Sequence, residues 1–272
     1  MTLAHNTLSS LLEPCKKIAR AAGREILDVY AGDFDITQKA DNSPVTTADL
    51  RANSLICREL QLLTPDYPIL TEENKPASFE ERKHWQTYWL IDPLDGTREF
   101  VKRNGEFTVN IALIHKGESV LGVIDVPVMC VQYFGARGVG VWKQDYDKDP
   151  EPISARDKPD DNFLVATTRS HGNERLTQFK RNLPPHREIT MGSSLKICLV
   201  AQGRADLYPR IGPTSEWDTA AAQAILEAAG GYLTDTNMQT LRYNTKESLL
   251  NPEFFAFGKT QENWSRYLPI DL

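Results

Sequence analysis

Apolar residues in the first thirty positions recur every three or four places. Leu8, Leu11, Leu12, Cys15, Ile18, Ala19, Ala22, Ile26 and Leu27 form one stripe, which predicts an amphipathic helix over roughly residues 7–30. A second stripe, Leu50, Leu55, Ile56, Leu60 and Leu63, follows the turn Ser43-Pro44-Val45-Thr46 and stops before Pro65. From 107 to 142 the period shortens, and 107–114, 120–126 and 131–134 read as strands with glycines between them. The first part of the chain is therefore expected to pack helices on an antiparallel sheet. The stretch 145–161, dense in Asp, Lys and Pro, predicts an internal boundary between an N-terminal half, 1–155, and a C-terminal half, 156–272. Beyond it, strands at 164–167, 206–208 and 254–257 alternate with helices from Glu174, at 193–201 and at 218–229, the pattern of a smaller α/β layer.

At 272 residues the chain can bury a substantial core, either as one large domain or as two closely packed halves. The net charge of −6 argues against binding polymeric nucleic acid, which needs a basic surface to replace the counterions around phosphate. An acidic protein that handles a small anion needs local positive charge, and a bound metal ion supplies it. Cys15, Cys57, Cys130 and Cys198 lie too far apart for zinc or redox spacing and read as buried free thiols in a reducing cytosol. The N-terminus lacks the charged start and apolar core of a secretion signal, and no later run is long enough to cross a bilayer. A cytoplasmic location is expected, with peripheral contact at the inner membrane left open.

The chemistry is concentrated in residues 89–97, Trp-Leu-Ile-Asp-Pro-Leu-Asp-Gly-Thr. A buried strand from Tyr88 to Ile91 is interrupted by Pro93, which cannot donate to a sheet, so Asp92 is expected at a strand end facing a crevice. Gly96 allows a close approach of backbone to ligand, and Thr97 opens a helix whose free N–H groups point at an anion. Two hard oxygen ligands beside a phosphate cradle imply Mg²⁺. Three further acidic sites bear on this pair: Glu72-Glu73 after the apolar segment 68–70, Asp218 at the start of a helix, and Asp49 in the first turn of the second helix. Each has a plainer explanation. Asp49 stands three residues after Thr46 and Asp218 three after Ser215, so both fit capping boxes, and the two glutamates fit a solvated loop.

Taken together, Asp92-Pro93-Leu94-Asp95-Gly96-Thr97, Trp217-Asp218-Thr219-Ala220-Ala221, Thr71-Glu72-Glu73 and Ser43-Pro44-Val45-Thr46-Thr47-Ala48-Asp49 resemble the site segments of the lithium-sensitive inositol monophosphatase superfamily, in order and spacing. Lys39-Ala40-Asp41-Asn42-Ser43-Pro44, 102–110, Gly192-Ser193-Ser194-Leu195-Lys196 and Leu207-Tyr208-Pro209-Arg210 are similar to its bacterial 3′(2′),5′-bisphosphate nucleotidases. The resemblance covers nearly the whole chain. It implies a mixed α+β and α/β architecture in the layered αβαβα sugar-phosphatase fold, and two or three Mg²⁺ ions held by Glu72, Asp92, Asp95, Asp218 and the carbonyl of Leu94. It also implies that Thr97 and Asp49 orient and deprotonate the attacking water, and that the N–H groups of Gly96 and Thr97 hold the phosphate being cleaved. Thr168, His171, Gly192 and Lys196 would contact the nucleotide, with Asp218 also on the substrate side and Arg210 a weaker phosphate candidate. The implied reaction is hydrolysis of adenosine 3′,5′-bisphosphate to AMP, with 3′-phosphoadenosine 5′-phosphosulfate as a second substrate, within sulfur assimilation. The implied enzyme is a monomer or homodimer.

Two rival readings use the same residues: an inositol or sugar monophosphatase that differs at 168–171 and 192–196, and a noncatalytic anion-binding regulator. An aspartyl-phosphate mechanism is disfavoured because Asp92 and Asp95 are three apart where the haloacid dehalogenase pattern has two. Glycines 135, 138 and 140 lack the strand-to-helix context of a dinucleotide fingerprint and turn a hairpin instead. The five histidines are too scattered for a zinc-protease helix, and Gly192-Ser193-Ser194 is not a nucleophile elbow.

Overall fold

The two apolar stripes become α1 (His5–Tyr30) and α2 (Thr47–Leu63), which lie side by side on one face of a seven-stranded sheet. The computed structural model describes residues 3–33, 36–38, 44–168 and 172–269. Between the two helices a short ribbon, β1 (Ile36–Gln38) and β2 (Pro44–Thr46), pairs antiparallel. The large sheet follows: β3 (Ile69–Thr71), then after a single helical turn α3 (Phe79–Arg82), β4 (Thr87–Asp95). Helix α4 (Thr97–Val101) leads to β5 (Thr108–His115), β6 (Glu118–Val126), β7 (Val131–Ala136), β8 (Gly140–Asp145) and β9 (Glu151–Pro152). The strands lie in sequence order, antiparallel except for β3 alongside β4.

The sheet is buried on both faces. Along β4, Trp89 and Ile91 pack with Leu12, Ile26 and Ile56 of α1 and α2, while Tyr88 and Leu90 pack on the opposite side. A strand covered on both faces reads as a continuous apolar run, as 88–91 does.

The chain leaves the large sheet at Pro152 and enters the smaller one at Leu164. There β10 (Leu164–Thr168), α5 (Glu174–Asn182), β11 (Arg187–Met191), α6 (Leu195–Ala201) and β12 (Leu207–Arg210) are followed by α7 (Glu216–Ala228), β13 (Tyr232–Asp235) and β14 (Phe254–Phe257). The strand order is β11-β10-β12-β14-β13. Helices α6 and α7 fill the space between the sheets, joining Ala220, Ala221, Ile225 and Leu226 to Leu90, Ala112 and Ile124 in one cluster. Leu176 and Phe179 of α5, with Trp264 of a terminal 3₁₀ turn, cover the far face of the small sheet against Phe163, Val165 and Phe255. The five layers are the αβαβα arrangement that the resemblance implied.

Three local readings change. Strand β11, not expected from the sequence, carries only the short alternation of Ile189 and Met191 because it is an edge strand, paired only with β10 and largely exposed. Only Cys15 and Cys198 are buried; Cys57 is half-buried and Cys130 sits exposed in the β6–β7 turn. Strand β4 does not stop at Asp92. Asp92 pairs with Asn110 and Asp95 with Thr108, three steps against two, so Pro93 occupies a bulge, where a missing N–H costs no ladder bond. Among the described residues, no helix is long and apolar enough to cross a membrane.

The approach of α7 to the large sheet depends on one glycine. A Cβ on Gly122 of β6 would fall 2.1 Å from the Ala221 carbonyl oxygen, so the helix must shift to admit one. Gly122→Ala is therefore expected to cost about 1–3 kcal/mol by overpacking. Urea unfolding checks this, and a midpoint equal to that of the parent would show that α7 can slide without cost.

Candidate active site

The bulge in β4 brings Asp92 and Asp95 to one end of the large sheet, where the parallel neighbour β3 also ends. The Glu72 amide donates to the Ile91 carbonyl at 3.2 Å, setting Glu72 beside Asp92. Helix α7 enters the same place with its N-terminus, carrying Asp218. Carboxylate oxygens of Glu72, Asp92 and Asp218 all lie within 4.8 Å of one another. Asp92 is 2% exposed, with one oxygen accepting from the Leu94 amide at 3.0 Å. Burial, then repulsion from Glu72, Asp95, Asp218 and Asp49, holds its carboxyl well above the usual carboxylate range. Asp218 is raised in the same way, by burial first and then by Asp95. Hard oxygens packed this closely repel one another in the absence of a cation, and their chemistry fits Mg²⁺.

Asp95 stands outside this tightest trio. Its Oδ2 accepts from the Ser194 amide at 2.7 Å and from the Asn110 amide at 3.4 Å. Burial pushes the carboxyl up to about 6, against the lowering effect of Lys196 and of these donors. The Leu94 carbonyl lies 3.3 Å from the Thr97 hydroxyl.

Both capping boxes are formed, and they do not compete with a role in the site. Asp218 accepts from the Ser215 amide at 2.9 Å. Asp49 uses Oδ2 to accept from the amide and hydroxyl of Thr46, at 2.8 and 2.7 Å, which leaves Oδ1 to accept from the Thr97 hydroxyl at 3.1 Å. Asp49 is buried, and burial raises its carboxyl despite these donors. Capping thus aims each carboxylate. The turn from β4 into α4 requires Gly96, whose φ of +97° is a left-handed conformation that side chains strain to adopt.

Glu72, Asp92, Asp95, Gly96, Thr97 and Asp218 line a cavity of about 410 Å³. Its other wall comes from the smaller sheet: Thr168 at the end of β10, Gly192 and Lys196 flanking the start of α6, and Arg210 at the end of β12. His171 lies outside the described residues. The Gly192 amide donates to Glu106 at 2.8 Å. Lys196 is not a solvated point charge. It is 5% exposed, its ammonium donates to the carbonyls of Ser193 at 2.5 Å and Met191 at 3.2 Å, and burial lowers it to about 8. Arg210 donates from one terminal nitrogen to the Pro213 carbonyl at 2.7 Å, while its Nε is buried without a partner among the described residues.

Asn110, Thr108 and Ser194 carry no role expected from the sequence. Their signal was present as polar residues within apolar strand and helix patterns at 108–110 and 194, which only partners across the interior can explain.

The inositol monophosphatase family model matches residues 7–265. A curated relative from Salmonella typhimurium, the 3′(2′),5′-bisphosphate nucleotidase CysQ, is 51% identical over 90% of this chain and 98% of its own length. The nucleotidase of the same name from Haemophilus influenzae is 36% identical over 97% of both chains. Among solved structures, CysQ from Bacteroides thetaiotaomicron superposes with a TM-score of 0.78 at 41% identity, covering 90% of this chain and 95% of that one. Inositol monophosphatase from Anabaena gives 0.75 at 26% identity, covering 97% and 98%.

Proposed function

The chain belongs to the inositol monophosphatase family, and from that premise we propose that it hydrolyses the 3′-phosphate of adenosine 3′,5′-bisphosphate, giving AMP and inorganic phosphate. The observation that carries this reading is identity of about half over nine-tenths of the chain to a 3′(2′),5′-bisphosphate nucleotidase. The same chemistry converts 3′-phosphoadenosine 5′-phosphosulfate to adenosine 5′-phosphosulfate, and both reactions belong to sulfur assimilation. We read the protein as a cytoplasmic enzyme acting on small molecules as a monomer or homodimer.

Glu72, Asp92, Asp95, Asp218 and the Leu94 carbonyl would hold two or three Mg²⁺ ions. Bound there, the ions would neutralise phosphate charge and lower the pKa of a water molecule. The Thr97 hydroxyl, donating to Asp49, is set to accept a hydrogen bond from the attacking water. Asp49, raised by burial, takes the proton through it. The water oxygen bonds to phosphorus as the bond to the ribose 3′-oxygen breaks, and that oxygen takes a proton from water to become the 3′-hydroxyl of AMP. The Gly96 and Thr97 amides would hold the phosphate oxygens. Thr168, His171, Gly192 and Lys196 would hold the nucleotide.

Phosphate release from adenosine 3′,5′-bisphosphate and from inositol monophosphate, measured side by side, tests the reading. Faster release from the inositol ester would overturn it in favour of an inositol phosphatase. Absence of turnover of either ester across a Mg²⁺ titration would favour an anion-binding protein.

The cluster also sets a pH dependence of stability. A carboxyl whose pKa is raised on folding contributes stability that is present at low pH and lost as pH rises through the folded value. Asp95 moves from 3.8 to about 6, and Asp92 and Asp218 shift in the same direction. The cation-free protein is expected to lose stability across and above that window. Asp125 and Glu216, each pushed up to about 7 by burial, are not members of the trio and steepen the same slope. Protons and Mg²⁺ compete for Asp92, Asp95 and Asp218, so Mg²⁺ should raise the melting temperature more at about pH 8 than at about pH 5.5. Thermal melts in chelator and in Mg²⁺ at both values check this; equal shifts would contradict an acidic Mg²⁺ site.

A further inference from the structure

Behind Asp95 lies a closed polar network buried between the two halves of the cavity. Asn110 of β5, 1% exposed, donates its amide to Asp95 Oδ2 at 3.4 Å. Its carbonyl accepts from the hydroxyls of Thr108 at 2.9 Å and Ser194 at 3.0 Å. Those two hydroxyls lie 3.0 Å apart, and the Ser193 hydroxyl is 3.2 Å from that of Thr108. Thr108 is fully buried and Ser194 is 5% exposed.

This network does two things. A carboxylate only accepts, so the Ser194 and Asn110 donors on Oδ2 set the Asp95 rotamer and leave Oδ1 for a cation. The same bonds hold residues 191–196 in an unusual path. Ser193 has a φ of +44°, costly for a residue with a side chain, and the Ser193 carbonyl receives the Lys196 ammonium. The segment that carries Gly192 and Lys196 is therefore pinned to the back of a carboxylate in the acidic cluster.

We propose that Asn110 is a positioning residue: through Asp95 and Ser194 it makes cation binding and nucleotide binding reinforce each other. The proposal rests on the reading of Asp95 as a Mg²⁺ ligand and of the cavity as a nucleotide site. Groups that orient metal ligands in this way are typically worth about 10–100-fold in metal affinity. Coupling between two ligands is reciprocal, so the factor by which Mg²⁺ strengthens AMP binding equals the factor by which AMP strengthens Mg²⁺ binding.

Calorimetric titration of Mg²⁺ and of AMP, each alone and in the presence of the other, tests this on the whole protein. Asn110→Ala is expected to weaken Mg²⁺ by about 10–100-fold and to bring the reciprocal factor toward one. Thr108→Val, which removes a hydroxyl touching Asn110 but not Asp95, is expected to shift both quantities in the same direction by less. It also serves as the test if Asn110→Ala fails to fold. A purely structural role would lower the melting temperature of the variants and leave Mg²⁺ affinity and the reciprocal factor at parental values, which overturns the proposal. Asp95→Asn separates the two levels: if it too retains full Mg²⁺ affinity, the reading of Asp95 has failed. If it loses affinity while Asn110→Ala and Thr108→Val do not, only the positioning role has failed.

Discussion

Asp92→Asn is expected to lower turnover by about 10³-fold while raising the melting temperature of the cation-free protein at neutral pH. The loss follows because a metal ion stabilises several kcal/mol of charge in phosphoryl transfer and each 1.36 kcal/mol is tenfold in rate. Asp92 is one of the carboxylate trio. The gain follows from the same burial. Asp92 is almost fully enclosed and repelled by four other acids, so the ionised form costs folding energy that a neutral amide does not. Asparagine conserves volume, and its carbonyl can still accept from the Leu94 amide. Opposite signs for activity and stability are the signature of a site that trades one for the other. Loss of activity together with a lower melting temperature would instead make Asp92 a structural residue.

Thr97→Val is expected to reduce kcat by about 10²–10⁴-fold, the range for losing a positioned proton acceptor, with the Mg²⁺ dependence of the rate little changed. Valine keeps the shape of threonine but removes the hydroxyl that donates to Asp49 at 3.1 Å. Residues that act as one relay are non-additive, so Thr97→Val combined with Asp49→Asn should be no slower than the worse single variant. Rates that multiply would mean that the two act separately. A raised Mg²⁺ requirement in Thr97→Val would move its role to the Leu94 carbonyl, 3.3 Å from its hydroxyl.

Much of this molecule was legible from periodicity. The apolar stripes of α1 and α2 and the continuous apolar run of β4 are local signals, because a helix face and a doubly covered strand each impose their own spacing. The acidic residues were legible as types and positions, but residue type left Asp49 and Asp218 undecided between helix cap and working carboxylate. The structure removes that choice: a carboxylate has two oxygens, and the cap uses one of them.

Other features depend on partners far apart in sequence. Pro93 reads locally as the end of a strand, yet pairing with β5 carries β4 on through a bulge, which sets Asp92 and Asp95 in different surroundings. Lys196 reads as a nucleotide contact, but its burial and the binding of its ammonium to two carbonyls follow only from the packing of α6 between two sheets. Asn110 and Ser194 are 84 residues apart and meet only because the two sheets close on one cavity. The sequence by itself determined the main helices and strands and the acidic residue set, since these follow from short-range spacing and side-chain chemistry, while the layered fold and the family were legible through the resemblance of its motifs. Tertiary structure alone decided how each carboxylate is aimed and which polar residues stand behind it, because hydrogen-bond direction and burial are properties of neighbours that the chain brings together only on folding.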